Sequence, residues 1–222
     1  MMQSDLLRTI PGIVHGFGMR GIALDEYLRE SGIDRGATFS TNQIHGNCVH
    51  HLHSRRGREL LEGDAFITDQ PGVVCHVRTA DCVPIIIVDA SRKAVAAIHA
   101  GWRGTVCDVI GETMREMARI FGTKASDCVA AVGPRICGAC YEVGDEVIEG
   151  LVSLGIGDSW RADESRVDLG AANRKLIIRA GIAPDNVEML SYCTRCDERF
   201  ASFRRDRSDT ERQVNFVIIL GK

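Results

Sequence analysis

Apolar runs alternate with polar turns along this chain, and the densest stretch lies between Arg78 and Thr105, RTADCVPIIIVDASRKAVAAIHAGWRGT. Consecutive apolar residues Ile85–Val88, then Asp-Ala-Ser-Arg-Lys, then Ala94–Ile98 predict a buried strand, a turn and a second buried strand. The strands run roughly from Val83 to Asp89 and from Lys93 to His99, around a turn at Ala90 and Ser91. Beyond them the apolar period changes: Val106, Val109, Ile110, Met114, Met117, Ile120 and Phe121 share one helical stripe. Thr105 followed by Asp108 has the form of a capping box, which would start that helix there.

Shorter elements flank this stretch. Residues 1–20 suggest a short strand entering the Gly-rich turn HGFGMRG, and residues 23–32 a helix ended by Gly32. ATFSTNQIHGNCVHHLH predicts strands around His45, with Gly46 allowing a turn or a close backbone approach. GDAFITDQPGVVCHV gives a strand, a turn at Asp69–Gly72 and another strand; Asp64 and Asp69 are assigned to turns and Cys75 to the core. The basic tract Arg55, Arg56 and Arg58 reads as a solvated loop. Downstream, DCVAAVGPRICGACYEVGDEVIEGL supplies a buried strand, a Gly-Pro loop and a helix from near Val143. SRVDLGAANRKLIIRAG is a helix, VEMLSYCTRCDERFASFRRD a strand and loop, and RQVNFVIIL the final strand. Strands outnumber helices and no linker or repeat intervenes, so residues 1–222 read as one domain of mixed α and β class with substantial antiparallel sheet.

Charge and composition narrow the functions. With 27 Lys+Arg against 30 Asp+Glu the net charge is −3, which advertises no nucleic-acid or anionic-membrane surface. No apolar run approaches the roughly 20 residues of a membrane span. The N-terminal MMQSDLLRTIPGIVHGF, with Asp5 and a short apolar segment, does not read as a signal peptide. Nine cysteines, an odd number, then point to a reducing cytoplasm with free thiols or metal ligands.

Chemistry concentrates at the hairpin. If Asp89 faces Arg92, Cys82 faces His99, and opposed residues share a sheet face with Cβ atoms ~4.5–5.5 Å apart. A thiolate and an imidazole so placed can share a metal ion or form a Cys–His catalytic pair; inert filler and a satisfied core histidine are the structural alternatives. Arg103, glycine-flanked and just before the expected helix start, is a candidate for binding phosphate or carboxylate, with Arg78 second. His45, beside Gly46, is a further ligand candidate, whereas His51 and His53 fit a solvated strand face. Together His45, Cys82 and His99 would suit zinc, leaving a fourth position open for water or substrate, although the hairpin geometry argues for Cys82 and His99 only and spacing does not select His45 from seven histidines. Cys137-Gly-Ala-Cys140 and Cys193-Thr-Arg-Cys196 suggest a four-thiolate site, but their separation far exceeds the usual ~15–20 residues, so independent loop or pocket cysteines are preferred.

Ordered motifs then carry a resemblance across nearly the whole chain. They are Gln43-Ile-His-Gly46, Gly63-Asp-Ala, Thr79-Ala-Asp-Cys82, His99-Ala-Gly-Trp-Arg-Gly104, Gly133-Pro134 with Cys140-Tyr-Glu-Val143, Asp168-Leu with Ala172-Asn173, and Cys193 with Ser202-Phe-Arg-Arg205. They resemble the laccase-domain, or polyphenol-oxidase-like, family, whose bacterial members are also called purine nucleoside phosphorylases or peptidoglycan editing factors. The resemblance implies an antiparallel-rich β sandwich flanked by helices, cytoplasmic, with Zn²⁺ held by His45, Cys82 and His99. It implies phosphorolysis of adenosine, inosine and methylthioadenosine and deamination of adenosine, so the expected partners are purine nucleosides and phosphate, with a homodimer admitted. Cys82, His99 and Arg103 are the expected catalytic residues, and Arg78 and Arg103 the substrate-binding ones. Two departures bear on nucleoside preference: the Gly-rich N-terminal loop is shorter than usual, and Cys137 stands where glycine is common.

Three other functions compete. A copper polyphenol oxidase would need many imidazoles in repeated H-x-H pairs, and seven histidines with one such pair, His51/His53, do not supply them. A metal-free hydrolase would use Cys82 as nucleophile and His99 as base, with amide hydrolysis of peptidoglycan precursors as its physiological form. A non-enzymatic binding module for purines or cell-wall precursors is the third.

Overall fold

Val83–Asp89 and Ala94–Ala100 are buried at every position, the mark of strands at the centre of a sheet covered on both faces. The computed structural model describes residues 1–30, 32–33, 38–39, 41–53, 60–91, 93–208 and 210–221; the tract Arg55, Arg56 and Arg58 lies outside them. In chain order the first elements are α1 (Asp5–Arg8), β1 (Ile13–Phe17), α2 (Leu24–Glu30), β2 (Thr38–Phe39), β3 (Thr41–Asn42), β4 (Val49–His51), β5 (Leu61–Glu62) and β6 (Ala65–Thr68). Then follow β7 (Val74–Thr79), β8 (Val83–Asp89), β9 (Ala94–Ala100), α3 (Trp102–Val106), α4 (Val109–Phe121) and β10 (Cys128–Val132). The remainder holds α5 (Asp145–Ser153), α6 (Leu169–Arg179), β11 (Val187–Met189), α7 (Phe203–Asp206) and β12 (Gln213–Ile219).

The strands form a six-stranded sheet, β11-β10-β8-β9-β6-β4, and a four-stranded sheet, β1-β12-β7-β2, with β3 and β5 paired separately. The longer ladders, β8 with β9 and with β10 and β12 with β1 and with β7, are all antiparallel. Alternation along β8 explains its unbroken apolar run. Ile86 and Val88 pack with Phe17, Val77 and Val217 between the sheets, while Ile85 and Ile87 pack with Met114, Met117, Leu151 and Leu176 of the covering helices. Tyr27 and Leu28 of α2 cover the far side of the smaller sheet against Phe216 and Ile218. The expected β sandwich flanked by helices is the observed architecture. Among the described residues no helix is long and apolar enough to cross a membrane.

Three local expectations are corrected. Val83 pairs with Ala100 and Pro84 with His99, so the register is displaced by two positions and Cys82 does not face His99. Asp89 pairs with Ala94, because Lys93 takes a left-handed φ of 53° and lengthens the turn. A two-residue displacement preserves the face, so Cys82 and His99 still converge as diagonal neighbours. The helix after the hairpin is broken in two at Cys107 and Asp108: Asp108, at φ 56°, caps α4 by accepting from Gly111 N at 3.1 Å. Thr105 caps nothing; inside α3 it donates to Gly101 O at 2.9 Å and accepts from Asn173. Arg103 therefore lies within α3 rather than before a helix start. His45 is in neither neighbouring strand but in the connection between β3 and β4.

Candidate active site and metal centre

The ends of the central hairpin aim Cys82 and His99 at one point. Asp81, immediately before Cys82, holds a left-handed φ of 79°, uncommon for a residue with a side chain. It is fixed there by Thr194 Oγ1, which donates to Asp81 Oδ1 at 2.6 Å, and by Arg204 N, which donates to Oδ2 at 2.7 Å. His45 also has positive φ, 58°, and its connection is pinned at both ends. Gln43 exchanges two 2.8 Å hydrogen bonds with the Arg78 backbone, while His45 N and Gly46 N donate to the two Asp64 carboxylate oxygens at 3.0 and 2.8 Å.

Asp64 ties these parts together. The sequence assigned it to a turn; instead it is fully buried, and its Oδ1 lies 2.7 Å from His99 Nδ1. Its backbone carbonyl also accepts from His99 N at 2.8 Å. A carboxylate on Nδ1 fixes the orientation of the ring and leaves Nε2 for the site. Burial works against ionising Asp64, yet His99 and the N–H groups of Gly46 and His45 hold its carboxyl below its ordinary range.

His45, Cys82 and His99 each offer one donor atom, and these lie within 4.8 Å of one another. The two rings stand edge to face with centroids 4.8 Å apart. Burial opposes charge on the Cys82 sulfur, but His99 and His45 outweigh it and bring the thiol down to about 6. Burial also opposes charge on His99, where Cys82 and Asp64 prevail and raise it to about 9. Gly101 makes room for the trio: a Cβ there would stand 2.6 Å from His45 Nδ1 and 3.2 Å from Cys82 Sγ. Two imidazoles, a thiolate and a carboxylate behind one imidazole are the donor set of a zinc site with an open position. The donors fit one ion; among the described residues, no group of this kind contains His51 or His53, and the imidazole-rich set of a multicopper centre is not assembled.

These side chains sit at the floor of a cavity of about 660 Å³, within the range of small-molecule sites. Arg78, Arg204, Arg207 and Arg212 line it too, giving the cavity a cationic wall. Tyr141 forms another side, with the Arg204 guanidinium 5.2 Å from its ring centre. Burial, followed by the neighbouring Cys82, pushes the Tyr141 hydroxyl up to about 12, so it remains a proton donor at neutral pH. Arg78, the second phosphate candidate, is in this lining. Arg103 is exposed, 4.3 Å over the Trp102 ring, and is not among the residues that enclose the cavity.

Sequence reasoning missed Asp64, Asp81, Tyr141, Arg204, Arg207 and Arg212. Gly63-Asp64 directly before the apolar run AFIT was the available signal for Asp64, and the paired arginines of Ser202-Phe-Arg-Arg205 for Arg204. Arg205 is committed elsewhere, pairing with Asp206 and donating to the carbonyls of Thr194 and Phe200. The expectation of independent loop cysteines is overturned: the sulfurs of Cys137, Cys140, Cys193 and Cys196 all lie within 4.8 Å of one another.

Comparison with known proteins adds to this geometry. The family model described as multi-copper polyphenol oxidoreductase laccase matches residues 24–220. A purine nucleoside phosphorylase of Bacteroides thetaiotaomicron is 40% identical over 177 residues, which cover 76% of this chain and 66% of that protein. Adenosine deaminase RL5, from an unknown prokaryotic organism, is 41% identical over 153 residues, 65% of this chain and 58% of that protein. This chain thus spans less than two thirds of either relative. The crystal structure of YlmD from Geobacillus stearothermophilus superposes with a TM-score of 0.87 at 26% identity, covering 98% of this chain and 94% of that one.

Proposed function

The chain belongs to the multi-copper polyphenol oxidoreductase laccase family and is an enzyme of that superfamily, and from this premise we propose that it acts hydrolytically and phosphorolytically on purine nucleosides. The observation that carries this reading is the convergence of His45, Cys82 and His99, braced by Asp64, in a cavity that four arginines also line. Names among its relatives, purine nucleoside phosphorylase and adenosine deaminase, supply the substrate class.

Mechanistically, the roles divide between floor and wall. A zinc ion held by His45, Cys82 and His99 would supply Lewis-acid polarisation and a water nucleophile at neutral pH. Asp64 keeps Nδ1 of His99 engaged, so the imidazole presents one nitrogen in a fixed direction. Tyr141, kept protonated, is our candidate to donate a proton to a purine nitrogen or leaving base. Arg78 and Arg204, which line the cavity, are our candidates to hold phosphate beside a ribose, with Arg103 a more distant contributor.

A second reading rests on its own observation. Cys82, His99 and Asp64 form a nucleophile, a base and an orienting carboxylate in continuous contact, which is the arrangement of a Cys–His hydrolase. Amide hydrolysis of cell-wall precursors is the form we assign to it. It requires no phosphate site and no ion, so it demands less of the geometry than phosphorolysis does.

Chromatography of products from adenosine, with and without phosphate, tests the proposal. Adenine with ribose 1-phosphate, formed only with phosphate, supports phosphorolysis; inosine formed without phosphate supports deamination. Neither product from adenosine, inosine or methylthioadenosine, together with release of an amino acid from an aminoacyl precursor by chelator-treated protein, replaces the first reading with the second.

A further inference from the structure

We propose that Cys137, Cys140, Cys193 and Cys196 form a second metal site, a closed tetrathiolate zinc centre that clamps one wall of the cavity. Each cysteine pair occupies a short turn. Cys140 N donates to Cys137 O at 3.0 Å, closing the first C-x-x-C segment, and Asp197 N donates to Cys193 O at 3.0 Å, curling the second. The two segments are already docked on one another: Arg135 and Cys193 form a parallel bridge, with Thr194 N donating to Arg135 O at 3.0 Å. The sulfurs that result lie within 4.8 Å of one another, with Cys140 and Cys196 at 3.3 Å. Tetrahedral zinc with Zn–S bonds of ~2.3 Å separates its sulfurs by roughly 3.8 Å, inside that span.

Two further contacts fit an anionic cluster. Cys137 N donates to Cys193 Sγ at 3.4 Å, and N–H groups directed at sulfur stabilise thiolates. The half-buried Arg135 guanidinium interacts electrostatically with Asp168 and then with Cys137 and Cys193, and would offset part of the charge of four thiolates around a divalent cation. Arg135 Nε has no hydrogen-bond partner among the described residues, while Nη1 donates to the carbonyls of Gly133 and Leu190.

The site is built to hold other residues in place. Tyr141 follows Cys140 directly and lines the cavity. Thr194 follows Cys193 and donates to Asp81, the strained residue that aims Cys82. An ion binding all four sulfurs would fix the Tyr141 wall and the Thr194 contact to Asp81 to one point. The inference does not depend on the reaction assigned to the cavity.

Metal counting by native mass spectrometry on the full chain, purified under reducing conditions and loaded with zinc, tests it. Two ions per chain are expected. Cys82→Ala should keep one, and its four cluster thiols should resist alkylation until a chelator is added; its cobalt-loaded form should show tetrahedral tetrathiolate absorption. Cys140→Ser/Cys196→Ser should lose one ion and keep the other. A metal-free Cys82→Ala protein whose cluster thiols alkylate at once would overturn the proposal, as would a disulfide within the cluster persisting under the same reducing conditions. Because Cys82→Ala leaves the cluster intact, these outcomes are decisive even if the double variant does not fold.

Discussion

Among the described residues two groups of metal-type donors are each gathered within 4.8 Å, and they are constructed differently. The floor of the cavity mixes two imidazoles with one thiolate, takes two of its donors from the central hairpin and the third from the connection between β3 and β4, and is backed by a buried carboxylate. The cluster of four cysteines stands on loops, uses sulfur alone, and is met by backbone N–H groups and a half-buried arginine. Three donors leave room for a reactant, whereas four fill a tetrahedron. On the proposed assignments, the exchangeable fourth position would lie beside the central hairpin, and a filled tetrahedron would tie two loops together.

The comparison is sharpest under Cys82→Ala, which should remove the ion at the floor and lower kcat/KM for adenosine by more than the ~100-fold that loss of a supporting residue costs. Full turnover with unchanged zinc content, measured on folded protein, would break the assignment. Asp64→Asn comes next: a loss of roughly 10–100-fold in zinc affinity or turnover is expected, because His99 loses its orienting carboxylate. Titration with a competing chelator measures it. At the cysteine cluster, Cys140→Ser/Cys196→Ser should act on stability, lowering Tm by on the order of 10 °C if the ion contributes about 4 kcal/mol. An unchanged Tm in a thermal scan would deny the clamp.

A pH experiment on the chelated protein probes the floor alone. His99 is raised from its ordinary 6.5 to about 9, so its contribution to stability is complete below 6.5 and fades as pH rises through about 9. Cys82 is lowered from 9.0 to about 6, so its contribution is present above 9 and fades as pH falls through about 6. The stability difference between wild type and Cys82→Ala should therefore peak between these limits, and a difference flat from pH 5 to 10 would deny the ion pair. Smallest of all, Arg103→Ala should alter phosphate dependence by no more than about 3-fold, a change under 1 kcal/mol. Arg204→Ala should alter it more, and the reverse order in steady-state kinetics would return Arg103 to the site.

The central hairpin was legible because both its faces are buried, so an apolar run had one reading. Its register was not, since the turn length depends on Lys93 adopting positive φ, which nothing in the local sequence demands. Cys82 and His99 survived this error because a displacement of two keeps the face. Asp64 was hidden for a different reason: a carboxylate after glycine resembles a turn, and only the docking of the 43–46 connection reveals its partners. The four cysteines were hidden by distance, the members that meet standing 56 positions apart, closed by a bridge between loops rather than by any strand pattern. The family resemblance supplied His45, which spacing could not single out.

Gly101 carries a consequence for inheritance. Its φ of −72° is one any residue adopts, so the backbone sets no rule at this position; the prohibition is on volume alone. A single methyl would press on His45 and Cys82, and the neighbour best able to yield is a donor of the site itself. A lineage that acquired alanine here would keep its fold and every chemically active side chain, yet lose the arrangement that makes them act together. Position 101 is thus a marker by which descendants with an intact centre can be told from those that retain only its parts.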